Sequence, residues 1–422
     1  MEVVEGRFFI SGRFEQCCVG IEEGKIVEIA KVLEGDETYR FGSKTVLPGA
    51  TDAHVHFREP GMTHKEDFET GSLAAVNGGV TCVLDMPNTI PPTTTISALR
   101  EKRRLASMKS LVDFGFYAGV RPGIDVDGLA KEAIGFKVYM ASTTGELLVS
   151  SVDQIRRELA EIAATNKVLA VHAEDERLRS KEPEKDLDDH LRNRSNECET
   201  SAIKKIEDAA KKCKLHICHV SAKESIPLVQ TRPGLTSEVT PHHLLLDKDS
   251  KTGTHSKVNP PLRKRENRHA LFKALQDGTF DIIASDHAPH TIDDKKEDFE
   301  YAPGGMPGVE TMLPLMFHMV EERHLDLADL VRRVCVRPAE IFGVPKGKIA
   351  KGYDADLIVV DFSDCKMIKA DELHSKCGWT SFEGMPGIFP EKVFVRGQLM
   401  IENGEQVGDP KGRDVVGASR EG

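Results

Sequence analysis

The sequence predicts an α/β protein: a (β/α)8 TIM-like barrel with a small β-sandwich domain built from both termini. Three observations lead there. Short β-rich runs alternate with longer helical ones from Thr81 to His290, the runs together with one earlier strand number eight, and both chain ends read as strands and turns without a convincing helix. A doubly wound open sheet would normally carry a Gly-rich phosphate loop after an early strand, and none is evident.

In chain order, residues 1–48 contain EVVEGRFFIS and CCVGIEEGKIVEIA, short strands with turn signals. TDAHVHF (Thr51–Phe57) supplies the first barrel strand. VTCVLDM (Val80–Met86), FGFYAGV (Phe114–Val120), GFKVYM (Gly135–Met140) and VLAVHAE (Val168–Glu174) follow, then LHICHVS (Leu215–Ser221), LTSEVTP (Leu235–Pro241) and FDIIASDH (Phe280–His287). Helix-like stretches lie between them, such as TISALREKRRLASMKS and SVDQIRRELAEIAATNK, with apolar residues at three- and four-residue spacing. DADLIVVDF and EKVFVRGQLMIENG repeat the strand character of the N-terminus. Residues 1–48 and 350–422 are therefore expected to form the sandwich, and 49–349 the barrel. The final stretch, KGRDVVGASREG, reads as a frayed tail.

Composition narrows the function classes. The net charge is −11, which argues against a nucleic-acid binder. Nine scattered cysteines with no CxxC indicate neither a disulfide framework nor a thiolate zinc site. The N-terminus lacks the basic-then-apolar pattern of a signal peptide, and no apolar run approaches the roughly 18–20 residues of a membrane span. A reduced, cytoplasmic protein is expected, with no nucleic acid or membrane as partner.

In a barrel, function collects at the C-terminal ends of the strands. His54 and His56 lie on the first strand, two apart and so on one face. Lys137 sits inside GFKVYM, His172 in AVHAED, His219 in ICHVS and Asp286 in IIASDHAPH. Each alone has an ordinary reading: a hydrogen-bonded core histidine, a lysine reaching a barrel mouth, an aspartate capping the next segment. Together, metal-ligand residue types recur at strands one, four, five, six and eight, which points to a metallohydrolase in a barrel. His242 and His243 in PHH would face opposite ways if extended, so they read as supporting or core residues. Cys82, Cys218 and the Cys17–Cys18 pair read as structural.

DAHVHFREPG, MPNT, FKVYM, VHAED, CHVS, NPPLR, SDHAPH and HSKCGWTSFEG, in that order, resemble the cyclic amidohydrolases, and among them most closely the dihydroorotases. The resemblance spans about residues 45–385, with no departure at the six ligand positions. It implies two zinc ions. His54 and His56 would bind one with Asp286, His172 and His219 the other, and Lys137 would bridge both as an N-carboxylated lysine. An apolar strand favours the neutral, nucleophilic form of an amine, the form that takes up CO₂. A hydroxide between the ions would attack the ring amide of L-dihydroorotate, with Asp286 as acid and base. The reverse reaction would close N-carbamoyl-L-aspartate in pyrimidine synthesis.

The resemblance also implies a substrate-binding set. Arg58, on the strand face of His56, would take the ring carboxylate with Asn88 and His290, while Asn259 and the Pro303–Gly304–Gly305 backbone would contact the rest of the ring. Thr143, in ASTTGELL, would reach over the substrate from a flexible loop. Asn88 also reads as a turn residue, Arg58 as a surface charge, and the loop as an ST-rich turn. Allantoinase or hydantoinase chemistry is the alternative enzyme reading, and a catalytically silent homologue partnering aspartate carbamoyltransferase is the alternative outside catalysis. A monomer or homodimer, and an association with aspartate carbamoyltransferase, both stay open.

Overall fold

The computed structural model describes residues 1–250 and 252–418. The chain opens with β1 (Glu2–Ile10), β2 (Arg13–Glu22), β3 (Lys25–Ala30) and β4 (Glu37–Pro48). The barrel follows: β5 (Ala50–Val55), β6 (Val80–Asp85), β7 (Asp113–Gly119), β8 (Gly135–Tyr139), β9 (Val168–His172), β10 (Lys214–Ile217), β11 (Leu235–Val239) and β12 (Ile282–Ile283). After it come β13 (Leu357–Val360), β14 (Cys365–Met367), β15 (Pro386–Ile388), β16 (Lys392–Val395), β17 (Gln398–Glu402) and β18 (Glu405–Gln406).

Strands β5 to β12 form one parallel sheet in chain order. It closes on itself where Val55 bridges His287 and the His56 N–H donates to the His287 carbonyl at 2.8 Å. Helices such as Phe68–Asn77, Ile96–Lys109, Asn196–Ala209 and Arg265–Gln276 cover the outside. The last of these buries Leu271, Ala274 and Leu275 while its charged face stays in water, the amphipathic division its spacing predicts. Tyr117, Leu84, Ala170 and Ala284 belong to an apolar cluster that also takes in Phe342 and Val344, and the Tyr117 hydroxyl donates to the Ala53 carbonyl at 3.0 Å.

The terminal strands make a second sheet in the order β18-β17-β16-β13-β4-β1-β2-β3. Strand β4 joins the two ends of the chain, pairing parallel with β1 and antiparallel with β13. Four of its hairpins turn on two residues that both have positive φ: Ser11–Gly12, Glu23–Gly24, Arg396–Gly397 and Asn403–Gly404. Such turns match strand twist, and glycine makes the second position free of steric cost. Rings of Tyr39 and Phe41 meet Phe394 edge-on at 5.2 and 6.1 Å, so the sheet folds over its own core.

Three expectations need correction. Residues 411–418 are docked rather than frayed: Arg413 pairs with Asp354 at 2.6 Å, Val415 is buried, and Val415–Ala418 is helical; residues 419–422 lie outside the described residues. His242 and His243 sit on a short helix, Pro241–Leu245, instead of an extended run, because Thr240 caps it and Pro241 starts it. Arg58 is not on a strand face, since β5 ends at Val55 and Arg58 has φ +61°. Among the described residues no helix is long and apolar enough to cross a membrane.

Candidate active site

The C-terminal mouth of the barrel gathers the predicted residues. His54 is the fifth residue of β5 and His56 lies just past its end; Lys137 is mid-strand in β8; His172 ends β9. His219 and Asp286 lie two and three residues past β10 and β12. His219 and Asp286 have φ +37° and +47°, as unusual for side-chain-bearing residues as that of Arg58. The predicted strands stop short of both residues, and both side chains line the cavity at the mouth. Strain of this kind concentrates at functional sites.

Around Asp286 the geometry is convergent. His54 Nε2 and His56 Nε2 each lie 3.2 Å from Asp286 Oδ1. Each ring is held from behind: His54 Nδ1 meets Glu238 at 2.5 Å, and His56 Nδ1 donates to Asn88 Oδ1 at 2.7 Å. His172 Nδ1 faces His219 Nε2 at 3.0 Å, and His172 Nε2 meets Glu174 at 2.8 Å. Lys137 is fully buried and donates to Cys218 Sγ at 2.9 Å. Its charge opposes protonation of His54, His172 and His219.

Electrostatics divide the imidazoles. Burial pushes His56 down to about 3 and holds His172 and His219 below their ordinary range, so all three present lone pairs at neutral pH. Burial opposes protonation of His54 too, and so does Lys137, but Glu238 and Asp286 outweigh them and the ring is pushed up to about 10. Burial alone would raise Asp286, yet His54 and His56 hold it well below the usual carboxylate range.

These residues fit divalent cations. Donor atoms of His54, His56 and Asp286 lie within 4.8 Å of one another, as do those of His54, Cys218 and Glu238. Neutral rings oriented by a carboxylate or amide on the far nitrogen are the usual ligand arrangement. His219 Nδ1 is buried without a partner among the described residues, and His54 carries a proton that a cation can replace.

The cavity above is lined by His54, His56, Arg58, Asn88, Tyr139, Thr143, Thr144, His172, His219, Asn259, Asp286, Ala288, Gly304 and Gly305. Lys137 lies beneath it, His290 behind Arg58, and Pro303 lines the adjoining outer cleft with Thr143 and Gly304. Arg58 is 2% exposed, so it is no surface charge; Nε donates to the Pro289 carbonyl at 3.2 Å, and Nη1 has no partner among the described residues. Asn259 Oδ1 is likewise unpartnered. Asn88 is already engaged, accepting from His56 and donating to the Thr144 carbonyl at 2.9 Å. A ligand would have to compete with the Thr143–Thr144 loop for that amide. Gly304 and Gly305 let the backbone approach: a Cβ at Gly304 would meet Asn259 Nδ2 at 2.7 Å, and one at Gly305 the Ala288 carbonyl at 2.5 Å.

Four contributors escape sequence reasoning. Glu238 accepts from His54, His216 and the His219 N–H; Glu174 accepts from His172 and pairs with Arg194; Arg194 also donates to the Ser142 carbonyl at 2.6 Å, at the base of the loop. Cys218, part of a buried apolar cluster, accepts from Lys137 at 2.9 Å. The visible signals are a lone acid inside the apolar-alternating LTSEVTP and an acid two residues after His172.

The Amidohydrolase family model matches residues 45–400. Curated relatives named "Dihydroorotase" include those of Methanosarcina mazei, 39% identical over 93% of this chain and 92% of theirs, and Thermoplasma volcanium, 40% identical over 97% and 96%. Among solved structures, the L-hydantoinase of Arthrobacter aurescens superposes with a TM-score of 0.93 at 31% identity, covering 98% of this chain and 99% of that one. A D-hydantoinase gives a TM-score of 0.90 at 25% identity, over 98% of each chain.

Proposed function

Since the chain belongs to the Amidohydrolase family, with dihydroorotases as relatives along nearly its whole length, we infer that it is a dihydroorotase: it interconverts N-carbamoyl-L-aspartate and L-dihydroorotate plus water. That reaction is the ring closure of de novo pyrimidine synthesis. The observation that carries the substrate assignment is Arg58, a buried guanidinium beside the cavity with Nη1 unpartnered among the described residues. A buried cation with an open donor calls for an anion, and dihydroorotate brings a carboxylate that hydantoins and allantoin lack.

His54, His56 and Asp286 would hold one divalent ion, His172 and His219 a second, with Lys137 as an N-carboxylated bridge; we take both ions to be zinc. When bound, such ions supply Lewis acidity, activating water and polarising the scissile carbonyl. Asp286 Oδ1 takes the proton of the attacking water as its oxygen bonds to the ring amide carbon. The C–N bond breaks, and Asp286 returns the proton to the departing ring nitrogen. In the other direction Asp286 removes a proton from the ureido nitrogen, which attacks the protonated side-chain carboxyl group; the carboxyl hydroxyl takes the proton back from Asp286 and leaves as water. One carboxylate serves both directions because its proton is returned in each. Asn88 and His290 flank Arg58 and would share the substrate carboxylate, Asn259 and the Pro303–Gly305 backbone would meet the ring, and Thr143 would cover it. Nine unpaired cysteines support a reducing, cytoplasmic setting.

The test is loss of ultraviolet absorbance of L-dihydroorotate by the zinc-loaded protein, with hydantoin and allantoin in parallel. Turnover of dihydroorotate alone, with KM raised about tenfold or more by Arg58→Met, is expected from losing a charge-assisted contact. Preference for hydantoin would move the reading to the hydantoinases that share the fold.

A further inference from the structure

The contact between Lys65 and His290 carries a consequence for how a substrate carboxylate is met, and it rests on the reading that such a carboxylate sits at Arg58. Lys65 follows β5 in the loop that contains Arg58, and its Nζ lies 3.0 Å from His290 Nδ1 and 3.1 Å from Asp294 Oδ2. An ammonium has only donors, so the imidazole nitrogen it meets must offer a lone pair. The proton of the neutral ring then belongs on Nε2. Burial first, then Arg58, Lys65 and Lys295, holds His290 well below its ordinary range, in agreement with a neutral ring.

Nε2 faces the Gly304 carbonyl at 3.2 Å, an acceptor that suits an Nε2–H, and Arg58 Nη2 aims an N–H at the same nitrogen from 3.3 Å. With the proton on Nε2, the second contact sets two donors side by side. Two donors at that separation have a shared acceptor as their natural complement, and a carboxylate oxygen is one. The backbone under the ring is fixed as well, since Trp379 Nε1 donates to the His290 carbonyl at 2.7 Å.

We propose that Lys65 is a positioning residue that fixes His290 as its Nε2–H tautomer, so that His290 and Arg58 together present a two-donor fork to the substrate carboxylate. Without Lys65 the proton can sit on Nδ1, Nε2 becomes an acceptor for Arg58, and the fork closes on itself.

The test uses the full-length, zinc-loaded enzyme as wild type, K65Q, K65R, H290N and K65Q/H290N. The steady-state substrate is L-dihydroorotate, and ¹⁵N-histidine spectra are assigned to His290 by difference against H290N. K65Q should raise KM about tenfold with kcat within about twofold, as expected for loss of a binding contact, and K65R should restore most of it. In the H290N background K65Q should change KM by less than about twofold, because Lys65 acts through His290. The His290 spectrum should show a single Nε2–H tautomer in the wild type and a mixture in K65Q. Additive KM effects in the double variant, or an Nδ1–H ring in the wild type, would overturn the proposal. A wild type that leaves dihydroorotate untouched would sink the functional reading instead. The tautomer spectrum, which needs no substrate, would still decide the role of Lys65.

Discussion

The barrel buries charge at both of its mouths, and the two clusters meet that charge differently. At the N-terminal mouth Lys346 Nζ lies 2.8 Å from Asp113, 3.1 Å from Asp354 and 2.5 Å from Asp356, all almost fully buried. Arg396 pairs with Asp113, Arg413 with Asp354, and the Arg396 N–H and Thr81 hydroxyl donate to Asp356. Each carboxylate there faces a cation. At the C-terminal mouth, Asp286 and Glu238 share one protonated ring while His219 Nδ1, Arg58 Nη1 and Asn259 Oδ1 have no partner among the described residues. Buried charge alone is therefore no mark of function in this molecule. Unmet bonding capacity beside a cavity is, because burying it unpaired costs stability that a ligand restores.

Breaking each cluster in turn gives the largest effects. Asp286→Asn should lower kcat about 10²–10⁴-fold at saturating zinc, the usual worth of a positioned acid–base group, and should also weaken zinc retention, because the same carboxylate is one of the ligands. Lys346→Met should act on stability instead. It takes the shared, fully buried cation from three carboxylates and should destabilise by about 3–5 kcal/mol, with the activity of the molecules that remain folded unchanged. If Lys346→Met instead lowered kcat without moving the urea midpoint, the contrast between the two mouths would fail. Burial would favour a neutral Lys346, but Asp356 and Asp354 outweigh it and hold the ammonium above its ordinary value. Lys346 is therefore charged across the physiological range.

Legibility differs between the mouths for the same reason. The ligand-type residues were visible in the sequence because strand periodicity puts them at predictable ends, and His54, His56, His172, His219, Lys137 and Asp286 do gather at one mouth. The eight barrel strands and the sheet joining both termini were likewise readable, from alternation and from Gly-bearing turns. Lys346, in VPKGK, resembles any exposed turn; only the approach of Asp113 and of residues 354–356 in space makes it a buried centre. Glu238 and Glu174 were hidden because their task depends on which ring nitrogen faces them, a tertiary fact. Arg58 falls on a strand only if β5 is extended three residues past Val55, where it ends. The left-handed turn that redirects it has no signal in a non-glycine residue.

A smaller effect sharpens the contrast within the active mouth. Glu174 touches no cavity atom in its proposed role and acts on His172 from behind, so Glu174→Gln should weaken metal retention about 10–100-fold, read by chelator competition. A glutamine can still accept from the ring but no longer balances Arg194, with which Glu174 pairs. Unchanged retention would mean that the ring is oriented by packing alone.

The smallest effect is a slope with pH. His54 is raised from 6.5 to about 10, so its protonation favours the metal-free fold fully below pH 6.5, and that contribution is lost as pH rises through about 10. His56, lowered to about 3, stays neutral throughout this window and adds nothing to the slope. A cation bound at His54 Nε2 must displace the proton, so apparent metal affinity should climb by up to about tenfold per pH unit between pH 6.5 and 9. The thermal gap between metal-loaded and metal-free protein should widen in the same direction. Because Glu238 is the stronger of the two carboxylates that raise His54 against burial and Lys137, Glu238→Gln should flatten the slope as well as weaken orientation of the ring. A slope that survives Glu238→Gln intact would place the displaced proton on another group. The active mouth would then owe its appetite for a cation to something other than the carboxylate pair around His54.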